Sequence, residues 1–162
     1  MATRANDPGE KVFHILVTTD FSPDAESAFA TAAKEAQLRA DKNCRVTLLS
    51  VVENPFAAVF DIDLGSDRES VWVELENEAK RLLGHLRDRY FDPISTQCVT
   101  ARQVSSVADE IGRYARTHFI DMIIIASHGR TGISRNLFGS VAEQVVRHSR
   151  CPVLVVPVGP AA

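Results

Sequence analysis

Five short apolar runs punctuate this 162-residue chain, and a stretch of helical periodicity separates each from the next. The runs are Val12–Thr18, Cys44–Val52, Ile94–Arg102, Ile120–Ala126 and Pro152–Val158. Most are rich in β-branched residues, which suit strands. The strongest are apolar almost without interruption, as expected of strands covered on both faces. Between them, Ala25, Ala28, Phe29, Ala32, Ala33 and Ala36 mark a first helix. Val71, Leu75, Ala79, Leu82, Leu83 and Leu86 mark a second, and Val107, Ile111, Tyr114 and Ala115 a third. Val141, Ala142, Val145 and Val146 mark the fourth. Strands that alternate with helices need crossover connections. These are right-handed and build a parallel sheet with helices on both faces.

Local chemistry supports the helix starts. Ser22 before Pro23 predicts an N-cap followed by proline at the first helical position. Ser106 and Asp109 are placed to cap the third helix. Residues 53–66 and 127–138 read as loops, residues 1–10 and 159–162 as tails, and residues 11–158 as one domain.

Composition narrows the class. Apolar residues make up 45% and charged residues 24%, which argues against intrinsic disorder. No run approaches 18 uninterrupted apolar residues, so no membrane helix is expected. The first eleven residues lack the apolar stretch of a secretory signal. Cys44, Cys98 and Cys151 are odd in number and widely spaced, which gives no disulfide framework and no CxxC motif. A reduced, cytoplasmic protein with packed cysteines is expected.

The formal charge of −3 argues against a nucleic-acid partner, but it is an average. Residues 53–92 carry 5 basic and 10 acidic groups, whereas residues 102–150 carry 7 basic and 4 acidic. The last third is therefore locally basic, either for a ligand or by chance on a solvated surface.

In a doubly wound sheet, ligands bind at the carboxyl ends of the strands, where strand order reverses. Asp20 follows the first strand, Val51 and Val52 end the second, and Ala126–Gly132 follow the fourth. That last loop leads to Gly139-Ser140, which opens the fourth helix. A helix N-terminus offers backbone N–H groups and partial positive charge, a natural phosphate site. Gly129 and Gly139 allow close backbone approach, Ser140 adds a hydroxyl, and Arg130 and Arg135 share the loop. The same features also fit a plain loop in which Gly132 serves a turn and Ser140 caps the helix. There is no P-loop, since GxxxxGK[ST] is absent and no lysine follows Lys80, and there is no GxGxxG.

The segment SHGRTGISRNLFGSVAEQVVRHSRCPVLVVP, residues 127–157, resembles the universal stress proteins. So do ILVTTDFSPDAESAF at residues 15–29 and LLSVVE at residues 48–53. The resemblance implies a single open five-stranded parallel sheet, doubly wound and Rossmann-like, with strand order 3-2-1-4-5. The family's ATP-binding pattern is Gly, two residues, Gly, nine residues, Gly, then Ser or Thr. Gly129, Gly139 and Ser140 match it, while Ala126 stands in place of the first glycine.

The resemblance further implies a role for each residue. Asp20 and the Val51 backbone face adenine, and Thr18 and Ala126 lie near the ribose. His128, Gly129, Arg130, Ser140, Val141 and Ala142 line the phosphates. Thr19, Ser127, Thr131 and Gly132 complete the expected nucleotide-binding set. The ligand implied is ATP or another adenine nucleotide, with Mg²⁺ or Mn²⁺ held through the phosphates and not by protein side chains. A homodimer through the last strand, residues 152–158, is implied as well, since an apolar edge strand is usually paired or covered. Pro157 limits that pairing to part of the strand. A further protein partner is open.

Together these features lead to a nucleotide-binding stress-response regulator. A slow ATPase or self-phosphorylating protein, with Ser134 or Ser140 as acceptor, is the enzymatic alternative. A nucleotide-free dimeric interaction protein is the other. No catalytic residue is assigned. His128 is read as a phosphate-facing or loop donor, and His118 and His148 as surface groups near helix ends. Asp20 could equally cap the turn that follows it. Asp61, Asp63 and Asp67 do not keep the EF-hand spacing, and Trp72 is read as packing or partner surface.

Overall fold

The computed structural model of the protein describes residues 12–39, 43–57, 67–128 and 139–158. Its strands are β1 (Phe13–Thr18), β2 (Cys44–Val52), β3 (Thr96–Arg102), β4 (Met122–Ala126) and β5 (Val153–Val156). The helices between them are α1 (Glu26–Gln37), α2 (Asp67–Tyr90), α3 (Val107–Thr117) and α4 (Ser140–His148). All strands pair in parallel, in the order β3-β2-β1-β4-β5. This is the open five-stranded, doubly wound architecture expected from the sequence.

Each strand feeds both faces, because successive side chains point to opposite sides. Ile15 and Val17 of β1 join Val46, Leu48 and Ile124 under α1 and α2. Leu16 joins Leu49, Ile123 and Ile125 under α3 and α4. The alanine-rich stripe of α1 lets that helix sit close to the sheet, and Phe29 fills the space beside Tyr90 and Phe91. Hence the strands read as continuous apolar runs.

The helix starts differ in detail. Ser106 caps α3 as expected, its Oγ accepting from Asp109 N–H at 3.1 Å. Ser22 Oγ accepts from Ala25 N–H at 3.3 Å in the manner of an N-cap, but Ser22 and Pro23 do not begin the regular helix. They open a tight turn, with Ala25 N–H donating to Ser22 O at 3.1 Å and Glu26 N–H to Pro23 O at 3.2 Å. The regular helix then begins at Glu26. Four strands are shorter than expected, β1 only by its first residue, Val12. Ile94 closes a turn onto Phe91 O, Ile120 N–H donates to Ala115 O, and Pro157 lies past the last β5 pair, Ala126 with Val156.

Among the described residues, only one arginine of the locally basic segment is matched by acids from outside it. Arg102 pairs with Glu69 and Glu76 of α2 and sits over the Trp72 ring at 5.3 Å. Arg113 pairs with Glu110, and Arg147 with Glu143, each within its own helix. These three arginines thus tie or decorate helices. Arg130 and Arg135 lie outside the described residues, as do the two tails and Asp61 and Asp63.

At the amino end of the sheet, His14 Nε2 shares a hydrogen bond with Thr47 Oγ1 at 2.8 Å, and its backbone N–H donates to Asp121 Oδ2 at 3.0 Å. Burial, and then the Arg45 charge, hold the His14 imidazole below its ordinary pKa of 6.5. The unfolded chain therefore binds this proton more readily than the native one. The stability contribution is full above about pH 6.5 and falls as pH drops from there toward the lower native value. Lowering the pH from 7.5 to 5.5 is expected to reduce the urea midpoint more in the wild type than in His14→Gln. In the other face, Phe29→Ala is expected to cost about 3–5 kcal/mol in denaturant unfolding, because a fully buried ring leaves a cavity.

Candidate functional site

The strand order reverses between β1 and β4. From β1 the chain steps outward to β2 and β3, and then crosses back to β4 and β5 on the other side. The loops after β1 and β4 therefore diverge to opposite faces and leave a crevice between them. A cleft of about 270 Å³ occupies that position.

The β1 wall is built by a capped turn. Phe21 has a φ of 63°, which turns the chain sharply after Asp20. Asp20 Oδ1 accepts from Ser22 N–H at 3.0 Å and from Ser22 Oγ at 2.6 Å, while Thr19 Oγ1 accepts from Phe21 N–H at 2.9 Å. Asp20 thus does cap the turn, and it lines the cleft as well. The two readings of this residue are compatible.

On the β4 side, Gly139 N–H donates to Ser127 O at 2.6 Å, bringing the start of α4 onto the end of β4. A Cβ on Gly139 would stand 3.2 Å from that same carbonyl oxygen and 3.5 Å from His128 Cα. The φ of −68° is open to any residue, so what favours glycine there is the close approach of the chain and not backbone conformation. As N-cap, Gly139 has no side chain to bond the first-turn amides of α4. The positive end of that helix faces the cleft through Ser140, Val141 and Ala142.

Eleven of the residues singled out from sequence line this one cleft. They are Thr18, Thr19, Asp20, Val51, Ala126, Ser127, His128, Gly139, Ser140, Val141 and Ala142. Gly129, Arg130, Thr131 and Gly132 lie outside the described residues. Ala126 is the last residue of β4, is 6% exposed, and is not among the described non-glycine residues with positive φ. The backbone here does not require glycine.

Six further lining residues were not expected at the site: Ala25, Leu49, Glu53, Val107, Ile111 and Ile125. Two could have been found by periodicity. Leu49 and Glu53 flank Val51 at a spacing of two and share its side of the strand line. Val107 and Ile111 are four apart on α3, but only the packing of that helix over β2 brings them to the site. Among the described residues, no three His, Cys, Asp or Glu side chains converge as a metal site.

The fold and the crevice together define a doubly wound α/β protein with a ligand cleft at its switch point. Comparison with known proteins identifies the class further. Residues 11–157 match the universal stress protein family, and the chain belongs to it. It is 30% identical over 151 residues to universal stress protein MJ0577 of Methanocaldococcus jannaschii, covering 88% of this chain and 93% of that one. The solved structure of MJ0577 superposes with a TM-score of 0.75 at 29% identity, covering 91% of this chain and 97% of the other. Two more distant structures share the fold. One is a family member from Arabidopsis thaliana with AMP bound, at a TM-score of 0.62, 14% identity, and coverage of 91% and 92%. The other is a universal stress protein from Archaeoglobus fulgidus in complex with dAMP, at 0.56, 19%, and coverage of 91% and 98%.

The close approach at Gly139 is directly testable. Gly139→Val is expected to destabilise the protein by about 1–3 kcal/mol, read as a lower urea midpoint. Gly84, in α2, would meet nothing within 4 Å if it carried a Cβ. Gly84→Ala is therefore expected to be neutral or to stabilise by up to about 1 kcal/mol.

Proposed function

We propose that this protein binds an adenine nucleotide in the β1–β4 cleft and acts as a stress-response regulator. The observation that carries the reading is the meeting of eleven sequence-marked residues on one cleft, beside a helix start kept open by Gly139. The base lies toward Asp20 and the Val51 backbone, over the apolar floor of Leu49, Val107 and Ile111. The ribose lies near Thr18 and Ala126. The phosphates reach His128 and the first turn of α4, whose amides and partial charge suit an anion. The Gly129–Gly132 segment is assigned to the same phosphates through the family pattern. Relatives solved with AMP and dAMP support the class of ligand.

ATP is the form assigned here, with Mg²⁺ or Mn²⁺ carried on its phosphates. When bound, that ion neutralises phosphate charge, and the protein supplies backbone N–H groups and hydroxyls around it. Assembly is assigned to β5. This strand lies at the sheet edge, and its four residues, Val153 to Val156, are apolar and only half-buried. Val146 of α4 is also exposed. A second copy paired along β5 would cover an otherwise open edge. A reducing compartment such as the cytoplasm suits three cysteines that are all unpaired.

Titration calorimetry with Mg-ATP, ADP and AMP tests the ligand. Saturable heat is expected, weakened at least about tenfold, or 1.4 kcal/mol, in Gly139→Val. No heat at millimolar nucleotide from folded protein would overturn the assignment. Light scattering at micromolar concentration tests the dimer: twice the chain mass is expected, and the monomer mass refutes pairing through β5.

A further inference from the structure

Ser127 stands between the cleft and the β5 edge, and four hydrogen bonds meet on it. Its N–H donates to Val156 O at 2.8 Å, and its carbonyl accepts from Gly139 N–H at 2.6 Å. Its Oγ accepts from Val158 N–H at 3.1 Å and pairs with His128 Nδ1 at 3.1 Å. The residue is only 4% exposed, so water cannot readily replace a lost partner.

Two of these partners, His128 and Gly139, line the cleft. The other two belong to the end of the last strand. The β4–β5 register stops at Ala126 with Val156, and Pro157 has no N–H to extend it. Val158 offers the next donor, and it reaches Ser127 Oγ. One side chain therefore holds the end of β5 and a residue of the ligand cleft with the same oxygen.

We infer that Ser127 is a positioning residue that transmits occupancy of the cleft to the β5 edge. The inference rests on the nucleotide assignment above. A ligand shifts an equilibrium only by its differential affinity for the two states. A nucleotide seated on His128 and the first turn of α4 favours the state in which Ser127 holds both Gly139 and His128. In that state the hydroxyl also holds Val158, so the strand end is latched. By linkage, pairing of β5 with a second copy tightens the cleft by the same factor. The edge that suits assembly is thereby set by the ligand.

Amide exchange of Val158, followed by NMR with and without AMP, tests this in the wild type, Ser127→Ala and Ser127→Thr. Each is read at an AMP concentration saturating for that protein, established by calorimetry on the same sample. AMP is expected to slow Val158 exchange about 5-fold or more in the wild type, the lower end of usual couplings. Ser127→Ala should lose the slowing while AMP is bound, and Ser127→Thr, which keeps the hydroxyl, should recover it. Unchanged wild-type exchange with AMP bound overturns the inference, as does equal slowing in Ser127→Ala. Should Ser127→Ala fail to fold, the wild type still decides by comparison with the core amides of β1: slowing at Val158 in excess of theirs supports the inference, and equal slowing, the general effect of a bound ligand, overturns it. Absence of AMP binding to folded wild type overturns both this inference and the nucleotide assignment, and the missing heat distinguishes that result.

Discussion

A backbone hydrogen bond from Gly139 N–H to Ser127 O joins the start of α4 to the end of β4. The cleft depends on it. It aims the α4 N-terminus at the crevice between β1 and β4, and it brings the chain so near that a side chain at 139 would press on the carbonyl. Ser127 can accept this bond because it is itself fixed from the other side by the end of β5. The site therefore combines a topological crevice, which any doubly wound sheet has, with one close contact that turns the crevice toward anions.

Electrostatics play a narrower part than the charge distribution along the chain suggests. The basic last third looks like a ligand-directed feature, yet Arg102, Arg113 and Arg147 bind glutamates of the scaffold. Arg102 in particular holds the first turns of the long acidic helix α2 on the end of β3, with Trp72 beneath it. Arg102 thus ties the acidic middle to the basic last third, while Arg113 and Arg147 are matched within their own helices. What the described cleft offers an anion is mainly a helix end and hydroxyls, which need no excess of cations.

Much of the architecture was legible because burial on both faces leaves a simple mark. Val17 and Leu16 look alike in sequence, and they are alike in being buried, though on opposite faces. The boundaries were less legible. Pro152, Pro157 and Ile94 are as apolar as the strand residues beside them, but hydrogen-bond register decides where a ladder stops. Ser22-Pro23 carries the chemistry of a helix start, and the tight turn closed onto Ser22 and Pro23 moved that start to Glu26. In the site, Asp20, Gly139 and Ser140 were visible as residue types with special chemistry. Val107 and Ile111 were not, since a core valine and a cleft valine have the same local pattern.

The sequence by itself determined the order of elements, the parallel sheet and the family, because period, turn chemistry and glycine spacing are local properties of the chain. The tertiary structure decided which of those residues meet. Asp20 and Ser140 are far apart along the chain and share a cleft only because β1 and β4 are neighbours at the switch point. Likewise, Ser127 and Val158 are 31 residues apart, and their contact exists only because β5 returns beside β4. Local pattern selects the elements, and packing of those elements places distant donors and acceptors within reach of one another.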